Sequence, residues 1–365
     1  MMTAKFIPRQ SFPHYGAIPR SYYLGHHRAG LNKMKNMLNS IDYVVECRDY
    51  RVPVTSINPM FEEALGHTRR LIVYTKRDLG AGQPSARKQV SRNDCVIEDS
   101  IVRAHNYSPQ SEKMIQDFDR KSAVFFVNSS SRPDMSPIIK HLRNDAQGPD
   151  NLVGRRVMVV GMPNVGKSTL INGLRNHGMK KAKAAQAGGQ PGVTRKIGTP
   201  IKIIEKEDGS HVYVLDTPGV FMPYVSDPED MLKLALCGCV KDSVISPITL
   251  TDYLLYRINL HDEHVYQRWC VPTNEVTSLL DTFARSTGLL AKGGIPNFEL
   301  AASHFIQKWR AGELGKFIMD DLHAEQRRRE EGITEPATSI SHALRTEKMA
   351  RKGKLPQDPE SANNS

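Results

Sequence analysis

The chain has 365 residues, of which 39% are apolar and 24% are charged, a balance typical of a globular protein with about two domains. Its 50 Lys and Arg exceed its 39 Asp and Glu, and the net charge of +11 favours a polyanionic partner such as RNA or an anionic membrane surface. Five cysteines are too few for a disulfide framework, and no apolar run reaches the roughly 18 residues of a membrane-spanning helix. These values exclude a disulfide-stapled secreted domain, a collagen, a coiled-coil rod and an integral membrane protein.

The N-terminal segment contains no acidic residue before Asp42, although it carries several Arg and Lys and many hydroxyl groups. This composition is typical of a mitochondrial transit segment, which we assign to residues 1–24. Pro8, Pro13 and Pro19 interrupt any amphipathic helix there, so a flexible basic arm that contacts RNA remains an alternative.

Four apolar runs rich in β-branched residues predict buried strands. They lie at 41–47, 71–74, 123–127 and 157–160. Because polar, helix-compatible stretches separate these runs, the pattern predicts a mostly parallel sheet with helices on both faces, an α/β domain over residues 25–226. Residues 201–205 and 211–215 flank an Asp-Gly step, which predicts a hairpin.

The strand pattern ends near residue 226, and the apolar spacing that follows predicts a small all-α domain over residues 227–323. The basic tail at 324–365 has little apolar surface to bury. We therefore expect the tail to be mobile, or ordered only on a partner.

A phosphate-binding loop follows the fourth apolar run. Gly161–Ser168 fits the pattern G-x-x-x-x-G-K-S/T between a predicted strand and a predicted helix. Lys167 is expected to reach the β- and γ-phosphates and to act in catalysis, and Ser168 is expected to ligate Mg²⁺. Backbone N–H groups of such a loop and helix start surround the phosphates. The further nucleotide-binding residues predicted here are Asn164, Val165, Gly166 and Thr169.

A second motif, Asp216-Thr217-Pro218-Gly219, follows the strand at 211–215. Asp216 is expected to hold Mg²⁺ directly or through water, and the Gly219 N–H is expected to contact a γ-phosphate. Between the two motifs, the stretch 182–198 has the composition of a mobile loop. Its Thr194 is the candidate for a second, catalytically important hydroxyl on Mg²⁺, with an ordinary turn residue as the alternative.

The run Thr75-Lys76-Arg77-Asp78 follows the second predicted strand and resembles the [N/T]-K-x-D motif that reads guanine. Asp78 can accept hydrogen bonds from two guanine donors, and a site built for them rejects a ligand without them by as much as ~10⁴–10⁵. The Lys76 stem would cover the ring. Thr75 replaces the commoner Asn, whose amide usually ties this loop to the phosphate loop, so some weakening of base affinity is expected. Asn128 and Ser129, after the third strand, are weaker candidates for contacting the guanine oxygen.

In ordinary GTPases the base-reading motifs come after the phosphate motifs, whereas here they come first, which indicates a circularly permuted GTPase. The chain resembles the YlqF/RbgA family of ribosome-assembly GTPases, and in particular its mitochondrial members. The motifs that carry this resemblance are Gly25-His26, Asp49–Pro53, Asn58-Pro59, Thr75–Asp78, Gly161–Asn172, Pro191–Thr194, Asp216–Val220, Lys233–Asp242 and Gly312–Gly315.

The resemblance implies a GTPase that acts late in assembly of the mitochondrial large ribosomal subunit and is stimulated by the ribosome. GTP would be the substrate, Mg²⁺ the cofactor, and the large subunit with its rRNA the partner. The resemblance further implies a matrix location with peripheral inner-membrane association, and we expect a monomer without a transmembrane segment. Asn164 resembles the potassium-coordinating Asn of related GTPases, so K⁺ is a further candidate cofactor.

Val220 occupies the position where Ras-like enzymes carry a water-positioning Gln. An apolar side chain cannot orient water, so slow intrinsic hydrolysis is expected. His26, which matches the family's Gly-His position, is the candidate for water activation, and a loop histidine that packs or contacts RNA is the alternative. Two other functions remain open: a P-loop enzyme acting on another substrate, and a GTP-binding regulatory scaffold with little hydrolysis, acting on mitochondrial translation.

Overall fold

One six-stranded sheet forms the centre of the protein in the part of the chain that the structure describes. The structure is a computed structural model. It describes residues 6–16, 18–22, 25–66, 68–80, 108–128, 131–144, 154–180, 185, 198–205, 211–222 and 224–332. The strand order is β3-β2-β1-β4-β6-β5. The strands are β1 Tyr43–Asp49, β2 Arg70–Thr75, β3 Ala123–Phe126, β4 Arg155–Gly161, β5 Ile201–Glu205 and β6 His211–Asp216. All neighbouring strands are parallel except β5 and β6. The predicted mostly parallel sheet is therefore confirmed. The predicted hairpin is present as the antiparallel β5–β6 pair, whose connection at 206–210 lies outside the described residues.

Helices cover both faces of this sheet because alternate strand residues are apolar on both sides. The helices of this part are α1 Gly25–Met37, α2 Pro59–Leu65, α3 Arg77–Gly80, α4 Ser108–Phe118, α5 Arg132–Asn144 and α6 Lys167–Met179. Val44 and Met158 share a buried cluster with residues of α1 and α2. Their chain neighbours Val45 and Val157 lie in the main core with residues of α5 and α6.

Five helices follow the sheet between residues 224 and 332. They are α7 Pro228–Leu236, α8 Pro247–Asp262, α9 Val276–Thr287, α10 Phe298–Arg310 and α11 Leu322–Glu330. Local sequence sets several of their starts: Asp227 accepts a hydrogen bond from Glu229 N at 2.7 Å at the start of α7, and Asn297 accepts one from Leu300 N at 3.1 Å at the start of α10. Aromatic packing joins α9 to α10, with the Phe283 and Phe305 ring centroids 5.4 Å apart. The same buried cluster contains residues of these helices and of the sheet, so the helical region packs directly on the α/β part.

The beginning of the expected tail is helical and attached to the sheet domain. Helix α11 continues through the three consecutive arginines to Glu330, whereas we expected mobility from residue 324. Arg329 donates a hydrogen bond to Phe118 O at 3.0 Å, and its guanidinium lies 4.6 Å from the Phe118 ring centroid. Cation–π packing on α4 therefore holds this helix in place. Residues 333–365 lie outside the described part of the chain.

The N-terminal segment is packed against the helical region from residue 6 onward, which we name the N-terminal strap (residues 6–22). Arg9 forms an ion pair with Asp252 at 2.6 Å, and Phe12 is 2% exposed. The Tyr15 hydroxyl donates to Glu229 at 3.0 Å, and Arg20 O accepts from Val225 N at 2.8 Å. A buried aromatic side chain and paired charges attach this segment to the helical region. This part of the predicted transit segment is therefore packed as part of the fold in the structure.

Within the described residues, no helix is both long enough and apolar enough to cross a membrane.

Candidate functional site

The phosphate loop joins β4 to α6 through backbone conformations that its sequence favours. Gly161 has φ 148° and Gly166 has φ 91°, and both values lie in the region that glycine adopts at little cost. A Cβ on Gly161 would also collide with Cys47 O, and one on Gly166 would lie 3.2 Å from Thr75 Oγ1. Glycine is therefore required for close packing of the loop on β1 and β2 as well as for the turn. Helix α6 begins at Lys167, so its N-terminal N–H groups face the loop.

Lys167 is buried, at 6% exposure, and its side chain folds back so that the ammonium contacts backbone oxygens of the phosphate loop. Nζ donates to Met162 O at 2.7 Å and to Gly161 O at 3.3 Å. Burial lowers the pKa of Lys167, while the nearby Asp216 acts in the opposite direction. This desolvated ammonium now bonds to neutral backbone oxygens. It is suited to exchanging them for phosphate oxygens, because a negative charge compensates the buried positive charge better than a carbonyl does.

The oxygen ligands expected for Mg²⁺ lie together at the start of α6. Ser168 Oγ donates to Asp216 Oδ2 at 2.7 Å, and Asp216 is 5% exposed. A hydroxyl and a buried carboxylate are the hard donors that Mg²⁺ takes beside phosphate oxygens, so these residues fit the ion. Bound there, Mg²⁺ would neutralise charge on the β- and γ-phosphates. Thr194 lies outside the described residues, and its role stays a prediction.

The Asp216–Gly219 motif packs against the phosphate loop. A Cβ on Gly219 would come 2.5 Å from Pro163 Cα, so only glycine permits this approach. The next residue, Val220, donates its N–H to Gly161 O at 3.2 Å. The two phosphate motifs are therefore held together by backbone contacts, and the contact of Gly219 with a γ-phosphate stays a prediction.

The side chain of Val220 lies in an apolar cluster. It has no exposed surface and shares this cluster with Leu31 of α1 and Phe61 of α2. Its carbonyl accepts a hydrogen bond from Asn58 Nδ2 at 2.9 Å. Val220 thus acts as a core residue that anchors the loop, which agrees with the expectation that it does not orient water.

The base-reading run connects directly to the phosphate loop. Thr75 Oγ1 donates to Val165 O and also contacts Arg48 O at 3.2 Å, and Lys76 Nζ donates to Asn164 O at 2.6 Å. The Thr75 hydroxyl therefore makes the link between the two loops that an Asn amide makes in the commoner motif, and the expected weakening of base affinity stays a prediction. The structure thus brings together two motifs that lie far apart in the chain.

Asp78 is exposed in the first turn of α3, where its carboxylate is available to a base. Asn128 lies beside this run: Val127 O accepts from Arg77 N at 3.2 Å, and Asn128 N donates to Asp134 Oδ2 at 2.8 Å. Ser129 lies outside the described residues. Thr169 is exposed in the first turn of α6, and Val165 is buried.

Asn164 links the phosphate loop to the helical region. It has φ 56°, and its Nδ2 donates to Gly238 O at 2.9 Å in the turn after α7. The role of Asn164 as a potassium ligand stays a prediction.

His26 lies in the first turn of α1, and its side chain is outside the described set. The next turn of this helix lies on the phosphate motif, since a Cβ on Gly30 would be 3.7 Å from both Pro218 Cβ and Val220 Cγ2. Helix α1 therefore packs on the Asp216–Gly219 motif through Gly30, and the catalytic role of His26 stays a prediction.

Sequence reasoning did not assign a role to Asp49, which is buried at the end of β1 and bonded to Lys76 Nζ at 2.8 Å. A signal was present: an acidic residue ends a strand next to the strand that precedes the base-reading run. Such a residue lies at the carboxyl edge of a parallel sheet, where ligands bind.

Comparisons with known proteins agree with this geometry. The family described as "50S ribosome-binding GTPase" matches residues 156–267. "Mitochondrial GTPase 1" of Schizosaccharomyces pombe is 36% identical over 325 residues, covering 87% of this chain and 94% of that protein. "Mitochondrial ribosome-associated GTPase 1" of Mus musculus is 32% identical over 337 residues, covering 86% and 93%.

Among solved structures, GNP-bound YlqF from T. maritima superposes with a TM-score of 0.50 at 22% identity, covering 80% of this chain and 97% of that chain. This similarity supports the fold. With the base-reading run preceding the phosphate motifs and both meeting at one sheet edge, the chain is a circularly permuted GTPase with the fold of YlqF; it belongs to the mitochondrial GTPase 1 family and hydrolyses GTP.

Proposed function

We propose that this GTPase is a monomeric switch that promotes late assembly of the mitochondrial large ribosomal subunit, with hydrolysis stimulated by the ribosome. The observation that carries the proposal is the attachment of the helical region to both phosphate motifs. Asp216–Gly219 leads into α7 without an intervening strand, and Asn164 Nδ2 bonds to Gly238 O at 2.9 Å.

The turn after α7 is held in place from the other side by α10. Arg310 donates to Ala235 O and to Leu236 O, each at 2.8 Å, and pairs with Asp242 at 2.8 Å. A movement of the phosphate motifs would therefore shift α7 and α10 together, which is the coupling that a switch needs.

The large ribosomal subunit is the partner that the comparisons favour, since the matched family is described as 50S ribosome-binding and several relatives are named mitochondrial ribosome-associated. The helical region carries exposed cations suited to rRNA phosphates. They include Arg268, Arg285, Lys292 and Lys316. Contacts of this kind weaken as salt rises, because binding releases counterions.

Slow intrinsic hydrolysis follows from the burial of Val220, which leaves that position without a group to orient water. Docking on the large subunit would supply or position the missing group, and His26 is our candidate. The second candidate function, a GTP-binding regulatory scaffold with little hydrolysis that acts on mitochondrial translation, is favoured by the same burial of Val220.

Sedimentation and single-turnover hydrolysis test these functions together. We expect the protein to co-sediment with mitochondrial large subunits in a non-hydrolysable GTP analogue and to dissociate in GDP, and we expect large subunits to raise the single-turnover rate. Binding without any rise in rate would favour the scaffold, and nucleotide-independent or absent binding would reject the switch. A wild-type stimulated rate for His26→Ala would remove His26 from catalysis.

We further propose a matrix location, with peripheral association at the inner membrane and a targeting signal at the N-terminus. The packing of Arg9, Phe12 and Tyr15 on the helical region implies that any processing cleaves before Arg9. Intact-mass analysis of protein isolated from mitochondria should therefore find the N-terminal strap still attached. A mature form that begins after residue 24 would contradict this assignment.

A further inference from the structure

Asp49 lies at the centre of a buried charge cluster beside the phosphate loop. It has no exposed surface, and its Oδ2 accepts from Lys76 Nζ and from Arg51 Nη2, each at 2.8 Å. Its Oδ1 accepts from Arg51 Nε at 3.0 Å and from Arg51 N at 3.1 Å. The carboxylate thus has four donors from two cationic residues.

The electrostatics of this cluster keep Asp49 charged. Burial alone would raise the pKa of its carboxyl, but Arg51 and Lys76 hold that pKa well below its usual range. A buried carboxylate with two cations and full hydrogen bonding is stable in place, whereas removal of one partner leaves a charge uncompensated. Asp49 is therefore a permanent negative anchor for the Lys76 ammonium at any pH where the enzyme works.

Lys76 is held at both ends of its side chain. Its backbone has φ 56° in the base-reading run, and its ammonium bonds to Asp49 and, at 2.6 Å, to Asn164 O of the phosphate loop. The aliphatic stem between these points is the part assigned to cover the guanine ring. Immobilising a free lysine side chain on binding costs conformational entropy, and a clamped stem has met that cost before the nucleotide arrives.

Arg51 extends the cluster to the helical region. Its guanidinium carbon lies 4.9 Å from the Trp309 ring centroid in α10, and its Nη2 lies 3.5 Å from Cys237 O after α7. Arg51 is 2% exposed, so these contacts are desolvated. The planar guanidinium can grip both oxygens of Asp49 and stack on an indole at once, which a lysine cannot do.

We propose that Asp49 and Arg51 are positioning residues for guanine recognition. Asp49 holds the Lys76 ammonium so that its stem is in place for the base, and Arg51 fixes Asp49 against α10. The inference rests on the proposed assignment of Thr75–Asp78 as the base-reading run. It also makes guanine affinity dependent on the packing of the helical region.

Replacing Asp49→Asn tests the proposal, because the amide keeps the shape but removes the charge that anchors Lys76. We expect GDP and GTP to bind about tenfold more weakly, the factor that corresponds to losing one preorganised side chain. The affinity for inorganic tripolyphosphate, measured by competition with a fluorescent GDP analogue, should stay unchanged because this ligand has no base.

Asp119→Asn is the matched control, since Asp119, in the turn after α4, pairs at 2.9 Å with the buried Arg48 of β1 and has no contact with Lys76 among those described. It should leave guanine affinity unchanged. Arg51→Lys is a milder second variant that keeps a cation beside Asp49 and should show a smaller loss with the same dependence on the base.

Equal losses for GDP and tripolyphosphate would overturn the proposal, because they would indicate general damage to the phosphate loop. Unchanged guanine affinity in Asp49→Asn would overturn it as well. If neither Asp49→Asn nor Arg51→Lys folds, the cluster is a folding element and the inference is rejected. The variant Asp78→Asn distinguishes failure of the base-reading assignment from failure of the positioning role. If Asp78→Asn gains affinity for xanthine nucleotides while Asp49→Asn has no effect, only the positioning role fails.

Discussion

Replacing Asp78→Asn is expected to lower the affinity for GTP and GDP by about 10⁴ and to create affinity for xanthine nucleotides. The carboxylate accepts from two guanine donors, and an amide presents one donor in place of an acceptor. Xanthine carries an oxygen where guanine carries its amino group, so it matches the amide. Titration with GDP, XDP and ADP, followed by fluorescence or calorimetry, measures the change.

The matched control for this prediction is Asp117→Asn, the same substitution at an exposed residue that pairs only with Arg120 within the described contacts. It should bind guanine nucleotides like the unmodified protein. Unchanged guanine affinity in Asp78→Asn would show that the base is read elsewhere. Equally tight binding of ADP and GDP by the unmodified protein would remove the guanine assignment altogether.

Replacing Val220→Gln is expected to destabilise the protein by about 1–3 kcal/mol, because it buries an amide without hydrogen-bond partners. It should not raise the intrinsic hydrolysis rate, since the side chain has no exposed surface and lies with Leu31 and Phe61 in an apolar cluster. Urea unfolding at a fixed GDP concentration gives the free energy of unfolding, and single-turnover assays without ribosomes give the rate.

Val220→Met separates the cost of the amide from the cost of size, because Met and Gln are similar in length and only Gln is polar. We expect Val220→Met to be more stable than Val220→Gln. If the two variants are equally stable and Val220→Gln hydrolyses GTP faster than the unmodified protein, the side chain reaches the nucleotide and the cluster is not its functional location.

Local patterns predicted the elements of the site well. The glycines of Gly161–Ser168 require a turn that few other residues permit, and the apolar run before them predicts a strand that ends at the loop. The same reasoning located Thr75–Asp78 and Asp216–Gly219 at strand ends. Parallel strands put their carboxyl ends at one edge, so even the meeting of the motifs could be inferred from the permuted order.

Contacts between distant segments were not predictable in this way. The Arg9–Asp252 pair joins residues 243 positions apart, and the Asn164–Gly238 bond joins residues 74 apart. Composition led us to treat the N-terminal strap and the arginines of α11 as loose, because a basic segment with few apolar residues shows no buried face of its own. Phe12 and Arg329 are held only by surfaces that other elements build.

The amino-acid sequence by itself determined the α/β class, the permuted order of the nucleotide motifs and the identity of the residues at each strand end, since these depend on short-range periodicity and on backbone conformations specific to glycine. Only the tertiary structure decided that the Thr75 hydroxyl ties the base-reading run to the phosphate loop, that Val220 is a core residue, and that Asp49 holds Lys76. Each of those outcomes depends on how closely separate segments approach in the packed core, which no local pattern specifies.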